Sequence, residues 1–214
     1  MALTIEISTK ELLAARTIFG DDLPLAERFV HHLATSGIER GLLGPRELPR
    51  LWDRHVLNCA VVGELIPEAS RVADVGSGAG LPGLALAIAR PDAAFLLIEP
   101  LERRVNWLRE VTEDLGLKNV EIFRGRAEQA IGKSDVDVVT ARAVSALSGL
   151  ASLTLPLLKG PGEVLAIKGR SAGEEVEKAA KIIRRLGGKS TRVETVGGDL
   201  LDEPTTVVRI VVER

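Results

Sequence analysis

The sequence predicts an α/β fold: a Rossmann-like, seven-stranded, mostly parallel sheet with a terminal antiparallel strand, preceded by a helical N-terminal extension. Three observations predict it. From Arg71 onward, short apolar runs alternate with helical patterns, which requires a parallel sheet covered on both faces. A glycine-rich turn, Gly76-Ser-Gly78-Ala-Gly80, joins the first apolar run to the first helix of this region. An acid, Glu99, closes the second run. Strand, glycine turn, helix and acid-terminated strand together form a nucleotide-binding βαβ unit.

Residues 1–66 read as the helical extension and residues 67–214 as the core, with no linker that would make the extension independent. Apolar positions at Leu12, Leu13, Ile18 and Phe19, then at Leu25, Phe29, Val30 and Leu33, recur at helical spacing. Thr9 is the expected N-cap of the first helix. Gly20-Asp-Asp and Gly37 mark breaks, and the breaker-rich stretch 39–45 reads as a loop. A longer helix is expected from Arg46 or Glu47 through Leu51, Val56, Leu57, Ala60, Val61 and Leu65.

In the core, strands are expected at 71–75, 94–99, 120–124, 136–141, 163–167, 192–196 and 205–212. Helices are expected at 81–89, 101–115, 128–131, 148–157 and 172–186. No helix separates the last two strands, so they should pair antiparallel.

The bulk numbers narrow the function. A chain of 214 residues can bury a sizeable core, and 45% hydrophobic with 27% charged residues is ordinary for a globular protein. A formal charge of −2 gives no global attraction to nucleic acid, so such a partner must be held by a local patch. Cys59 is the only cysteine, which excludes an internal disulfide and fits a reducing compartment. The N-terminus lacks a signal-peptide layout, and no run reaches the roughly 18 apolar residues of a membrane helix. The expected location is cytoplasmic. His31, His32, His55 and Cys59 lack metal-ligand spacing, so no metal is expected.

The glycine turn admits two cofactor classes. Gly78-Ala-Gly80-Leu-Pro-Gly83 matches the dinucleotide fingerprint, with Glu99 at the expected distance. Yet the turn begins earlier, at Gly76, and Asp74 lies inside the strand end, where a pyrophosphate gains nothing from a carboxylate. A cationic ammonium and sulfonium do gain. The pattern Asp74-Val-Gly76-Ser77-Gly78-Ala-Gly80 resembles the first motif of class I S-adenosylmethionine (SAM) methyltransferases, and Glu99 resembles their ribose-binding acid. SAM is therefore favoured over a dinucleotide.

Ligands of such sheets bind at the carboxyl ends of the strands. That rule selects Asp74 and the turn through Leu81, then Glu99, then Ala127 and Glu128, then Arg142, then Lys168 and Arg170. Ala127 is small enough for an adenine to lie against its backbone, and Glu128 could accept from the adenine amino group. Glu128 could equally be a helix N-terminal acid matched to the macrodipole. Arg142 suits a carboxylate or phosphate at the cleft mouth; as a structural residue it would pair with Glu128 or Glu99. Arg46, Arg50 and Arg54 recur every four residues and would share one α-helical face, a pattern that suits RNA phosphates and also an ordinary solvated face. His55 lies near them, and a lone histidine is more often packed than catalytic.

The run Leu51-Trp-Asp-Arg-His55-Val-Leu-Asn-Cys59, the stretch Asp74–Gly83, the triplet Arg142-Ala-Val and Ala166-Ile-Lys-Gly169 together resemble the glucose-inhibited division protein B family. The resemblance spans nearly the whole chain and is densest from about residue 46 to 170. It implies a SAM-dependent methyltransferase of guanine N7 in 16S ribosomal RNA, at guanine 527 of the standard count, acting on a partly or fully assembled small ribosomal subunit. It further implies that Gly76, Leu81, Ala127, Glu128 and Arg142 contact SAM. The positions around Arg54, His55, Lys168 and Arg170 would then face the RNA. One departure is visible: Asn58-Cys59 stands where many relatives carry Asp-Ser.

Overall fold

The structure is a computed structural model that describes residues 5–133, 135–142 and 144–213. The middle of the Arg142-Ala-Val triplet and the first four residues of the extension lie outside the described residues.

Seven strands form one sheet: β1 (Arg71–Val75), β2 (Ala94–Glu99), β3 (Val120–Arg124), β4 (Val136–Arg142), β5 (Leu158–Lys168), β6 (Gly188–Val196) and β7 (Thr205–Val212). Their spatial order is β3-β2-β1-β4-β5-β7-β6, with β7 alone running opposite to the other six. The last strand therefore inserts between β5 and β6. β5 and β6 begin earlier than the apolar pattern suggests. Their leading residues are mostly small or polar: β5 starts with Leu158-Lys-Gly-Pro-Gly162 and β6 with Gly188-Lys-Ser-Thr191. The β4–β5 register shifts between Val136 and Val138, and a Cβ on Gly162 would come within 2.5 Å of the Asp137 carbonyl oxygen.

Chain order reverses at the gap between β1 and β4, because β2 and β3 lie on one side and β4 onward on the other. This is the topological switch point, where a crevice opens outside the strand ends. The central strands are apolar runs because helices cover both faces. On one face α4 (Gly83–Ala89) and α5 (Glu102–Leu115) pack with the extension, burying Leu84, Leu86, Trp107 and Leu108 with Phe29, Leu33 and Leu51 in one continuous cluster. On the other, α6 (Ala127–Ala130), α7 (Leu147–Thr154) and α8 (Ala172–Arg185) cover Val139, Val164 and Val208.

The extension begins with α1 (Thr9–Phe19) and α2 (Leu23–His32). Ser8, rather than Thr9, caps α1: its hydroxyl accepts from the Glu11 N–H, and the Glu11 carboxylate returns to the Ser8 N–H at 2.6 Å, a reciprocal box. The expected long helix after residue 45 is helical but not a regular α-helix. It runs as a 3₁₀ stretch (Pro45–Arg50), a π stretch (Leu51–Leu57), one α turn, α3 (Asn58–Ala60), and a 3₁₀ end (Val61–Leu65). Pro49 is the local cause, since it supplies no N–H to an α ladder. At 3₁₀ pitch, four residues turn well past a full circle, so Arg46 and Arg50 do not stack on one face.

The tightest packing lies under the glycine turn. A Cβ on Gly83 would meet Leu97 Cδ2 at 2.3 Å and Asp74 Oδ2 at 2.6 Å, both fully buried neighbours. Gly83→Ala is expected to destabilise by about 1–3 kcal/mol through overpacking. Gly78→Ala meets only a backbone oxygen at 3.7 Å and a φ of +54°, and should cost about 1 kcal/mol. Urea unfolding of the two variants checks the order; a more stable Gly83→Ala would contradict it.

Candidate active site

The turn after β1 is shaped by three glycines at positive φ: Gly76 (+74°), Gly78 (+54°) and Gly80 (+78°). Side chains rarely adopt these angles, and an added Cβ on Gly80 would strike Leu84 at 2.5 Å. Leu81 and Pro82 are joined by a cis peptide, and Pro82 caps α4, which begins at Gly83.

Two acids underlie the turn. Glu99, at the end of β2, is 1% exposed. Its Oε2 accepts from the Gly78 N–H at 2.9 Å and its Oε1 from the Leu101 N–H at 3.0 Å, with Arg104 Nη1 at 3.7 Å. Asp74 is fully buried. Its Oδ2 accepts from the Gly83 N–H at 3.1 Å, and Thr140 Oγ1 lies 3.4 Å from Oδ1. The Ser77 hydroxyl donates to the Asp74 carbonyl at 3.0 Å. Asp74 thus sits under the turn and organises it, instead of lying open beside a ligand cation. Burial pushes its carboxyl up to about 6, against the hydrogen bonds that favour the ionised form.

Across the switch point, Arg142 ends β4. Sequence reasoning gave it Glu128 or Glu99 as a structural partner; it has neither. Its Nη2 lies 3.3 Å from His55 Nδ1, and its Nη1 donates to the Arg54 carbonyl at 3.5 Å. Val144 then closes over the turn, since a Cβ on Gly76 would meet Val144 Cγ2 at 3.0 Å. Ala127, buried, opens α6, and Glu128 stands exposed beside it.

The residues expected to face RNA divide into two groups. Arg46, Arg50, Arg54 and Arg170 are exposed. His55 and Lys168 face inward. His55 is 7% exposed and its Nε2 lies 2.7 Å from Glu47 Oε2. Lys168 Nζ donates to the Ser145 carbonyl at 2.7 Å and to Glu175 Oε2 at 2.8 Å, while Glu175 also accepts from the Leu147 N–H. That lysine braces the loop after β4, so its ammonium is already committed. Thr140 and Glu175 carry no signal in the sequence, and Glu47 stands there only as a possible helix start; Val144 belongs to the Arg142-Ala-Val triplet that carries the family resemblance. Burial pushes the Cys59 thiol up to about 11, which leaves it unreactive.

The arrangement fits the group that the glycine motif implies. The space beside Gly78 is open but for one backbone oxygen, so a ligand can approach the main chain there. Each Glu99 oxygen retains a lone pair for a sugar hydroxyl. A separate cleft of about 650 Å³ lies near the amino ends of β1 and β2, beside Ala69, Arg90 and Asp92. There Arg90 is spent on the Gly63, Ile66 and Pro67 carbonyls and on Asp92. Among the described residues, no group of three or more His, Cys, Asp or Glu could hold a metal, and no helix is long and apolar enough to cross a membrane.

The raised carboxyl of Asp74 has a signed consequence. Its folded value exceeds its unfolded one, so the folded state binds the extra proton between about pH 4 and 6. The stability contributed by the neutral form is lost as pH rises through that window. Asp74→Asn should remove this slope while keeping an oxygen for the Gly83 N–H. Denaturant midpoints of both proteins from pH 4 to 7 test it; parallel curves would assign the titration elsewhere.

A family model described as rRNA small subunit methyltransferase G (GidB) matches residues 22–203. The chain is 70% identical over 210 residues to Ribosomal RNA small subunit methyltransferase G of Pseudarthrobacter chlorophenolicus, covering 98% of this chain and 97% of that one. It is 53% identical to the protein of that name from Streptomyces avermitilis, over 92% and 83% of the two chains. Among solved structures, cofactor-bound Rv0187 from MTB superposes with a TM-score of 0.61 at 16% identity, covering 95% and 96%. TYW2 of M. jannaschii in complex with AdoMet gives 0.59 at 17%, covering 77% and 78%. These structural likenesses place the sheet and its helices in the class I SAM methyltransferase fold. The sequence matches go further: the chain belongs to the rRNA small subunit methyltransferase G family.

Proposed function

We propose that this chain transfers a methyl group from SAM to N7 of a guanine in 16S ribosomal RNA, guanine 527 in the standard count, within a partly or fully assembled small subunit. The chain is a SAM-dependent methyltransferase of ribosomal RNA. The observation that carries the reading is its 70% identity, over 98% of its length, to a protein named Ribosomal RNA small subunit methyltransferase G. The glycine turn and Glu99 supply a cradle that suits the adenosyl donor.

When bound, SAM supplies a methyl group activated by a sulfonium. The chain's own residues hold and orient. Gly76, Gly78 and Leu81 bring backbone close to the donor, Glu99 accepts from its ribose, Ala127 and Glu128 meet its adenine, and Arg142 its carboxylate. Asp74 and Ser77 hold the turn in shape from below. Guanine N7 presents an in-plane lone pair and has no proton to lose, so no side chain acts as a general base. Asp74 and Glu99 support this, because both are already hydrogen-bonded to backbone N–H groups. Holding N7 in line with the methyl group can by itself be worth about 7–11 kcal/mol.

RNA phosphates meet the exposed Arg46, Arg50, Arg54 and Arg170, while His55 and Lys168 act from behind as supports. Net negative charge and few aromatics favour a loop presented in a fixed shape by the subunit over naked RNA.

Two measurements test the reading. Mass spectrometry of 16S RNA from cells with and without the chain should differ by one N7-methylguanine; identical RNA overturns the reaction. In single turnover with subunits, the chemical step should show no enzyme-derived ionisation near neutrality. Separately, reversing charge at Arg50 and Arg54 together should weaken subunit affinity about tenfold or more at moderate salt, with SAM affinity unchanged. Undiminished subunit binding would move the RNA to another face.

A further inference from the structure

Glu47, His55 and Arg142 form a hydrogen-bonded chain with a fixed direction. Glu47 Oε2 lies 2.7 Å from His55 Nε2, and His55 Nδ1 lies 3.3 Å from Arg142 Nη2. A guanidinium donates and never accepts. His55 Nδ1 must therefore turn a lone pair toward Arg142, and the ring proton sits on Nε2, where it donates to the Glu47 carboxylate. Burial and the Arg142 charge both oppose a second proton on the ring, and the Glu47 contacts favour one. The balance keeps the imidazole neutral and its tautomer set.

The chain also connects two parts of the molecule that are far apart in sequence. Glu47 and His55 belong to the extension, whereas Arg142 ends β4 at the switch point. Arg142 makes a second contact to the extension, the 3.5 Å bond from Nη1 to the Arg54 carbonyl. Both contacts to the guanidinium are long. They aim the fork without exhausting it, since three of its five N–H donors remain. A carboxylate is the group that such a planar fork receives best.

We infer that Glu47 and His55 are positioning residues that hold Arg142 as a receptor for the carboxylate at the amino-acid end of SAM. The inference rests on the cofactor assignment under Proposed function. It makes the extension part of the cofactor site, because an α/β core without residues 47 and 55 would leave Arg142 unaimed. A simple strut between extension and sheet would use the same contacts, yet it would not distinguish between ligands with and without an amino-acid end.

That difference sets the experiment. Calorimetry compares S-adenosylhomocysteine with 5′-methylthioadenosine, which keeps the nucleoside and sulfur but lacks the amino-acid end. The proteins are wild type, Glu47→Ala, Glu47→Gln, Arg142→Ala and the Glu47→Ala/Arg142→Ala double variant. The Glu47 side chain is 33% exposed, so truncation leaves the core intact. Glu47→Ala should weaken S-adenosylhomocysteine about five- to tenfold and leave methylthioadenosine unchanged. Glu47→Gln, whose amide oxygen still accepts from Nε2–H, should stay within about twofold of wild type. Added to Arg142→Ala, Glu47→Ala should cost nothing further. Equal losses for both ligands, or losses that add in the double variant, would overturn the inference and leave the cofactor assignment standing. Failure of the wild type to bind S-adenosylhomocysteine would overturn the cofactor assignment, and this inference with it.

Discussion

Two carboxylates buried beneath a turn of glycines need donors, and the nearest available are the N–H groups of the turn itself. A buried charge without partners is heavily penalised. Glu99 meets that demand with the N–H groups of Gly78 and Leu101, and Asp74 with that of Gly83. The demand works in both directions. It holds the acids at the strand ends, and it fixes the N–H of Gly78 in the turn and of Gly83 at the start of α4 close above them. Any side chain at position 83 would occupy the volume of the carboxylate that the backbone is bonded to. The cradle at the switch point is the shape that this bonding leaves.

Around the cradle, the second wall comes from the extension. Its apolar residues share one core with the helices on that face of the sheet, so its position is set by burial. Polar contacts then fix its detail. The Thr205 hydroxyl donates to the Asn58 carbonyl at 2.7 Å, tying the first residue of β7 to the extension, and Arg142 reaches the carbonyl of Arg54. The Asn58 contact uses the main chain, so it does not depend on whether asparagine or aspartate stands there. Between residues 45 and 65 the mixed 3₁₀ and π pitch brings His55 and the Arg54 carbonyl to Arg142 of β4, with Glu47 behind His55.

The titratable groups near the crevice are spent on structure: acids on backbone N–H groups, Lys168 on a loop carbonyl and a glutamate, and the neutral His55 on a carboxylate and a guanidinium. A site with its titratable groups occupied in this way is built to orient reactants, which suits methyl transfer to a nitrogen that carries no proton. Arg46, Arg50, Arg54 and Arg170 lie outside, exposed to solvent.

The sequence by itself determined the alternating β and α elements, the glycine turn, the two acids and the antiparallel end of the sheet. All of these are written in short stretches, where apolar periodicity, glycine and the absence of an intervening helix act locally. It also contained the family motifs. Only the tertiary structure decided that β7 enters between β5 and β6, that Asp74 is sealed under the turn, and that His55 and Lys168 face inward. It also decided that Arg142 answers to Glu47 through His55. Those outcomes depend on partners dozens of residues apart, such as Arg142 with His55 or Asp74 with Thr140, whose meeting leaves no spacing to read. Residues 45–65 differ for the opposite reason: the helical pattern is legible, but Pro49 denies its first turns the α ladder that the pattern assumes.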